Sequence, residues 1–437
     1  MPDPLNSADW LDGYRAAFTQ GFERLLQPAA SPVLVTARMN QQVAAIAKDA
    51  VERMTTALAS PDKMRARTPR ELLNLWIECG EGAYASAAHS EKFAAAMAEL
   101  LAAIVELRPD QRMTAPRVRG EGCSPCDAVH REDRVVLYRY RPMAASAQLA
   151  PVVICYALVN RPYMMDLQPD RSLIRGMLAR GLEVYLVDWG YPEAADRDLE
   201  LDDYINRYLG ACIDHVRRVH GVPAVNLLGV CQGGTLSLCH TALHPERVRN
   251  LVTMVTPFDF HTPENLLSKW IRDVDVDRMV AALGNIPGEL LNAAFLALMP
   301  LRLTIQKYAD IADIAGDPDA LANFLRMEKW ISDSPDQAGA AFAQFIKWFF
   351  QENRLVLGRL VIGGGRVDPG NVDCPVLNIY ARRDHLVPPS ASLPLRGLIG
   401  SRDCTDFEFD GGHIGIYVSR RAQELLPRTI AEWLMRR

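Results

Sequence analysis

Cys231 sits at the centre of Gly229-Val230-Cys231-Gln232-Gly233-Gly234, the spacing of a nucleophile elbow with a thiol where that pattern more often carries serine. A thiol so placed suits covalent acyl transfer, in which sulfur attacks a carbonyl and holds the acyl group until an acceptor removes it. Such a nucleophile needs a base within reach and an acid that orients the base. In elbow enzymes the chain order is nucleophile, acid, histidine. His413, in Asp410-Gly411-Gly412-His413-Ile414-Gly415, is the last of nine histidines and meets that order. Asp384, in Ala381-Arg382-Arg383-Asp384-His385-Leu386-Val387-Pro388-Pro389, is the expected acid, and Asp259 in Thr256-Pro257-Phe258-Asp259 is the competing one. The other histidines fit less well. His89 and His130 precede the strand-rich region or lie at its entry, His261 opens a helical stretch, His385 adjoins the candidate acid, and His215, His220, His240 and His244 fall on or at the ends of helices. The backbone N–H of Gln232, at the start of the helix after the thiol, is expected to face a developing oxyanion.

These residues need a scaffold that presents them from strand ends. Ala224 to Leu228 reads as a short buried strand and Thr235 to Leu243 as a helix, which gives the strand, tight turn and helix that the elbow requires. Gly229 and Gly233 let neighbouring elements approach closely. Upstream, Val135 to Tyr140 alternates as a strand, while Val152 to Tyr156 and Val184 to Asp188 are buried apolar runs flanking a helix from Ser172 to Arg180 that stops at Gly181. Tyr204 to His220 predicts the next helix, and Leu251 to Val255, Val376 to Tyr380 and Asp406 to Phe409 predict further strands before a closing helix, Ala422 to Met435. This alternation predicts a mostly parallel sheet covered by helices on both faces. Between about 260 and 364 the strand rhythm gives way to segments rich in Leu, Ala, Trp and Phe, read as an inserted helical cap. Asp384 then follows the penultimate strand and His413 the last.

The first hundred residues carry no strand-like runs. Thr68-Pro69-Arg70-Glu71 marks a helix start, with Thr68 as cap, Pro69 at the first position and Glu71 completing a capping box. Leu72, Trp76, Cys79, Ala83 and Ala87, then Phe93, Met97, Leu100 and Ile104, recur at helical spacing and make one apolar face. That face packs either on the rest of the chain or on a partner, and periodicity does not choose. Residues 107 to 132 read as linker.

A formal net charge of -5 and a pI near 6.0 argue against a nucleic-acid partner. Met1 to Ser7 lacks the pattern of a secretory signal and no stretch reaches the apolar length of a membrane span, so a cytoplasmic protein is expected, not a transmembrane one. Nine scattered cysteines fit a reducing compartment. Cys123-Ser124-Pro125-Cys126 is one C-x-x-C with no second pair to complete a tetrahedral site. Neither a metal nor a cofactor is expected.

Several stretches together carry a resemblance: Tyr138-Arg139-Tyr140, Tyr156-Ala157-Leu158-Val159-Asn160-Arg161-Pro162-Tyr163-Met164, Asp188-Trp189-Gly190, Gly229 to Gly234, Met327-Glu328-Lys329-Trp330-Ile331, Asp384 to Pro389 and Gly411 to Gly415. From about Asp127 to its end the chain resembles the polyhydroxyalkanoate synthases, specifically the catalytic subunit of the two-subunit class III enzymes. The resemblance implies an α/β-hydrolase fold with a helical cap and a homodimer. It also implies (R)-3-hydroxyacyl-CoA as substrate, short-chain such as 3-hydroxybutyryl-CoA, and a growing polyester held on cysteine at a granule surface in the cytoplasm. The family's catalytic cysteine, aspartate and histidine fall on Cys231, Asp384 and His413. The front of the chain departs from that pattern. Thr68 to Leu101, with Leu75-Trp76-Ile77-Glu78 and Glu81-Gly82-Ala83-Tyr84, resembles the C-terminal helical part of the accessory subunit. The expectation is therefore a fusion: an accessory-like region at 1–110 and a catalytic domain at 111–437, with the need for a free accessory subunit left open.

The chemistry suits the residues. Thiolate attack on a CoA thioester exchanges one thioester for another, so the bound acyl group keeps its power to acylate an alcohol. His413 would activate Cys231, and the resemblance gives Asp384 a part in activating the 3-hydroxyl of the incoming substrate, directly or through His413. One N–H from the Val159-Asn160 turn joins that of Gln232 as a candidate oxyanion donor. A cysteine hydrolase or polyester depolymerase on the same fold is the alternative enzyme, since fold and triad leave the acceptor open. A non-catalytic granule scaffold is the alternative from another class.

Overall fold

The computed structural model describes residues 37–59, 68–106, 122–307, 310–314 and 316–437. They fall into two compact units: residues 37–106 with Lys269–Asp275 and Ala293–Asn323, and residues 122–268 with Val276–Asn292 and Phe324–Arg437.

The first unit is helical. It contains α1 (Ala37–Ala59), α2 (Pro69–Ala88) and α3 (Glu91–Glu106). The capping box forms as the sequence predicts: Thr68 Oγ1 accepts from Glu71 N at 3.3 Å and the Glu71 carboxylate accepts from Thr68 N at 2.7 Å. The apolar face read as running from Leu72 to Ile104 is interrupted, because Ser90 Oγ accepts from Phe93 N at 3.2 Å and starts a new helix. Cys79, Ala83 and Phe93 from that face are buried, as are Leu75, Ile77 and Tyr84, which the spacing omitted. Leu75 and Cys79 pack against Met54 of α1, and insertion segments of the same unit meet Tyr84, Ala88 and Phe93. Trp270 Nε1 donates to Ala88 O at 3.0 Å and its ring lies 5.7 Å from that of Phe93, while the Tyr84 hydroxyl donates to Ala297 O. The buried Glu81 carboxylate accepts from Arg302 N at 2.7 Å, and burial raises its pKa.

The second unit is built on a sheet of eight strands: β1 (Cys126–Glu132), β2 (Val135–Tyr140), β3 (Val152–Cys155), β4 (Val184–Asp188), β5 (Val225–Val230), β6 (Val248–Met254), β7 (Val376–Ala381) and β8 (Cys404–Phe409). Their order is β1-β2-β4-β3-β5-β6-β7-β8, antiparallel at the first three strands and parallel from β4 to β8. Both faces are buried, so the central strands are mostly apolar, and their buried Asn226, Asn250, Thr253 and Asn378 bond one another across strands. Along β3, Val153 and Cys155 enter one core while Val152 and Ile154 enter the other. The short helix α4 (Leu173–Leu178) and the C-terminal helix α7 (Arg420–Met435) cover the face of Ile154. Helices α5 (Leu209–His220) and α6 (Gln232–Leu243) cover the other. This is the α/β-hydrolase fold.

One boundary needs correction. Residues 107–121 lie outside the described residues, but Cys126–Glu132, read from sequence as linker, is β1. It pairs only with β2, at the sheet's edge, and its Asp127, His130, Arg131 and Glu132 hide the apolar alternation that marks a half-buried strand. The C-x-x-C that leads into it is clasped at Ser124: Asp166, fully buried, accepts from Ser124 N at 2.7 Å, Ser124 Oγ at 2.8 Å and Ser172 Oγ at 2.5 Å. Cys123 lies against the same carboxylate at 3.2 Å, and burial together with that charge pushes its thiol up to about 11.

Candidate active site

Cys231 occupies the turn between β5 and α6 with φ +53° and ψ -125°, a conformation that a residue bearing a Cβ adopts only when its surroundings impose it. Here β6 imposes it, since Cys231 N donates to Met254 O at 2.9 Å, and the helix begins at once, Gly234 N donating to Cys231 O at 2.9 Å. Gly233 is obligatory: a Cβ there would overlap the carbonyl oxygens of Cys155 and Tyr156 at the end of β3. Cys231 itself is only partly buried.

Asp384 follows β7 and His413 follows β8, and the structure brings the two side chains together. His413 Nδ1 donates to Asp384 Oδ2 at 2.7 Å. Asp384 Oδ1 accepts from Leu386 N at 2.9 Å and Val387 N at 2.8 Å, so the tight turn after β7 fixes the carboxylate. Both side chains are buried, Asp384 to 0% exposure. Nδ1 is thus engaged, and Nε2 is left for the thiol. Burial alone would pull the His413 pKa down, but the charges of Asp384 and Cys231 and hydrogen bonds to both side chains push it up to about 10. The competing acid is occupied elsewhere: Asp259 Oδ1 caps His261 N and binds Asn353 Nδ2, each at 2.9 Å.

The remaining histidines have local partners. His220 Nε2 meets the Tyr185 hydroxyl at 2.8 Å, His244 Nε2 meets Asn206 Oδ1 at 2.9 Å, and His130 and His215 stack with ring centres 5.3 Å apart. His240 bonds Ile205 O at 2.9 Å, and burial pushes it down to about 3.

Gln232 follows the thiol directly, and Val159 and Asn160 belong to the loop after β3 that Gln232 touches. Gln232 is the first residue of α6, so its N–H has no partner inside the helix. Its side chain does something the sequence reading omitted: Oε1 accepts the Leu158 N–H at 3.1 Å, joining the elbow to the loop after β3. The Leu158 N–H is thereby engaged, and Val159 and Asn160, the next two residues of that loop, are half-buried. No signal in the sequence marked the Gln232 side chain, because its partner is a backbone group 74 residues away.

A strained thiol elbow followed by a buried His–Asp pair suits acyl transfer on an α/β-hydrolase, and the comparisons narrow the family. A model described as the alpha/beta hydrolase fold matches residues 150–419, and one described as the poly-beta-hydroxybutyrate polymerase N-terminus matches 119–177. The poly(3-hydroxyalkanoate) polymerase subunit PhaC of Allochromatium vinosum is 60% identical over 318 residues, 72% of this chain and 90% of that protein. The chain belongs to the poly(3-hydroxyalkanoate) polymerase family. It is an acyltransferase of that family. PhaC of Thiocystis violacea is 56% identical and that of Synechocystis 51%, each over 72% of this chain and covering 89% and 85% of those proteins. A further model distinguishes the front of the polymerase chain: residues 15–118 fit the one described as poly(R)-hydroxyalkanoic acid synthase subunit. No helix among the described residues is long and apolar enough to cross a membrane.

Proposed function

We propose that this polymerase builds polyester from (R)-3-hydroxyacyl-CoA, short-chain such as 3-hydroxybutyryl-CoA, with Cys231 as nucleophile, His413 as proton carrier and Asp384 as its orienting acid. The observation that carries the reading is the His413–Asp384 hydrogen bond of 2.7 Å beside a cysteine held at φ +53°. Cys231 sulfur attacks the thioester carbonyl, and the tetrahedral oxyanion is met by N–H groups of Gln232 and the Val159-Asn160 turn. The carbon–sulfur bond to CoA breaks, and His413 returns its proton to the departing CoA sulfur.

The raised His413 pKa has a consequence for the second half of the cycle. Part of the rise comes from charge on Cys231, and acylation removes that charge. The imidazole then goes neutral more readily, the form required to take the proton of an incoming 3-hydroxyl as its oxygen attacks the Cys231 thioester. The chain passes to that hydroxyl as an ester. The extended chain, now a CoA thioester, reloads Cys231 and releases CoA. Both Asp384 oxygens are engaged and the side chain is fully buried, which favours action through His413 over direct contact with the hydroxyl.

We extend the proposal to the division of the chain: an accessory-like region at 1–110 acting in cis, and a catalytic domain at 111–437 with a cap at about 260–364. The match of residues 15–118 to a synthase-subunit model separate from that of the polymerase domain supports it, as do the contacts of Glu81, Tyr84, Ala88 and Phe93 with the insertion segments. A homodimer at the surface of cytoplasmic polyester granules completes the reading.

The test is purified protein with (R)-3-hydroxybutyryl-CoA. CoA release matched by insoluble polyester is expected. CoA release matched by free hydroxy acid would make the protein a hydrolase, and no release would leave only a scaffold.

A further inference from the structure

After β3 the chain runs past the elbow as Leu158-Val159-Asn160-Arg161. An N–H that must meet an oxyanion has to be held in one direction, and a loop does not hold itself. Asn160 adopts φ +61°, in the left-handed region that asparagine tolerates better than most residues, and the loop around it is held from outside. The support comes from residues 330–337, the limb of the cap that returns toward β7. Gln337 Nε2 donates to Leu158 O at 2.7 Å, Asn160 Nδ2 donates to Ser334 Oγ at 2.5 Å, and Trp330 Nε1 donates to Arg161 O at 2.8 Å. Arg161 is fixed in turn by Asp188 at 2.6 Å and Gly190 O at 2.9 Å. Val159 is therefore flanked by tied residues on both sides.

The anchors are themselves fixed. Gln337 and Ile286 exchange both backbone hydrogen bonds, at 2.8 and 2.9 Å, and Ser334 Oγ lies 3.0 Å from Asn292 Oδ1. Ser334 and Gln337 are buried. Two of the stretches that carry the family resemblance, Tyr156 to Met164 and Met327 to Ile331, thus meet through the Trp330–Arg161 bond.

We propose that Ser334 and Gln337 are positioning residues for acyl transfer: by holding Asn160 and Leu158 they fix the direction of the Val159 N–H, and the rate depends on residues 330–337 staying docked on that loop. The proposal rests on the reading of Cys231 as nucleophile.

The test uses full-length protein carrying Ser334→Ala, Gln337→Met, which keeps length and loses the donor, and Asn160→Gly, which keeps the positive φ and loses the tether. Single-turnover loading of Cys231 from (R)-3-hydroxybutyryl-CoA is expected to fall roughly 10- to 100-fold in each, with the half-saturating concentration changed less than about threefold. Affinity for an acyl aldehyde, to which Cys231 sulfur adds to give a tetrahedral oxygen, should fall in parallel. Affinity for an unreactive ether analogue of the acyl-CoA should not change. Asn160→Gly with Ser334→Ala should lose no more than either alone, since both cut one link. Wild-type loading rates in the variants, additive losses in the double variant, or a loss confined to KM would overturn the proposal. A variant that melts at lower temperature yet binds the aldehyde normally would also overturn it, by showing a purely structural role. Failure of the underlying reading looks different: wild-type protein itself would carry neither acyl group nor aldehyde on Cys231.

Discussion

Asp384 holds His413 by one oxygen only: Oδ2 accepts from Nδ1 at 2.7 Å, while Oδ1 is pinned by the N–H groups of Leu386 and Val387. The carboxylate cannot turn without breaking two backbone hydrogen bonds. It therefore fixes the imidazole's tautomer and direction together, with Nε2 presented to Cys231.

That arrangement sets a pH dependence. His413 is raised from 6.5 to about 10, against its burial, by Asp384 and Cys231. A group whose pKa is higher in the folded than in the unfolded state adds stability that is full below the unfolded value and is lost as pH rises through the folded one. The His413 contribution should therefore be complete below about pH 6.5 and fade toward pH 10. NMR titration of the His413 ring should show it protonated at pH 7.5, and Asp384→Asn or carbamidomethylation of Cys231 should each lower its midpoint. In denaturant titrations the stability gap between wild type and Asp384→Asn should narrow between pH 6.5 and 10. A His413 midpoint near 6.5 that neither change moves would contradict the electrostatic account.

Asp384→Asn should also separate the two acyl transfers. A thiol loses its proton far more easily than an alcohol, so loading of Cys231 should survive at about 1–10% of the wild-type rate, while elongation, which needs the stronger base, should fall by roughly 10³-fold. Short acyl chains should then accumulate on the enzyme. His413→Gln should impair both steps. Rapid-quench loading with labelled substrate and sizing of the bound chains reads the difference, and equal losses in both steps would reduce Asp384 to orientation alone.

What the sequence revealed follows from where each signal is written. The central strands are buried on both faces, so Val184 to Asp188 and Val376 to Tyr380 stand out as mostly apolar runs. Cys231, Asp384 and His413 occupy loops at strand ends, where chain order alone narrows the choice. β1 stayed hidden because it lies at the edge and is polar. The break at Ser90 hid because the apolar spacing continues across it. The links from Gln232 to Leu158 and from Gln337 to Leu158 left no trace, since each joins a side chain to a backbone group far along the chain.

The accessory-like region yields a further expectation. Glu81, Tyr84 and Ala88 bond insertion residues within the first unit, so removing residues 1–106 strips partners from Trp270, Ala297 and Arg302. The truncated protein should still acylate Cys231 slowly, while polymer formed per hour falls at least about tenfold, a loss of at least about 1.4 kcal/mol in transition-state stabilisation. Polymerisation as fast as the full chain, with no added partner, would contradict action in cis.

The central claim is that the growing acyl chain is a thioester of Cys231. Labelled (R)-3-hydroxybutyryl-CoA, quenched within the first turnover and followed by mass analysis of the proteolytic peptides, tests it directly. The account predicts a hydroxybutyryl adduct on the Cys231 peptide. It also predicts hydroxylamine-labile label in wild type, none in a folded Cys231→Ala protein, and CoA release at background in that variant. Label on another residue, or normal CoA release and polymer from Cys231→Ala, would contradict it.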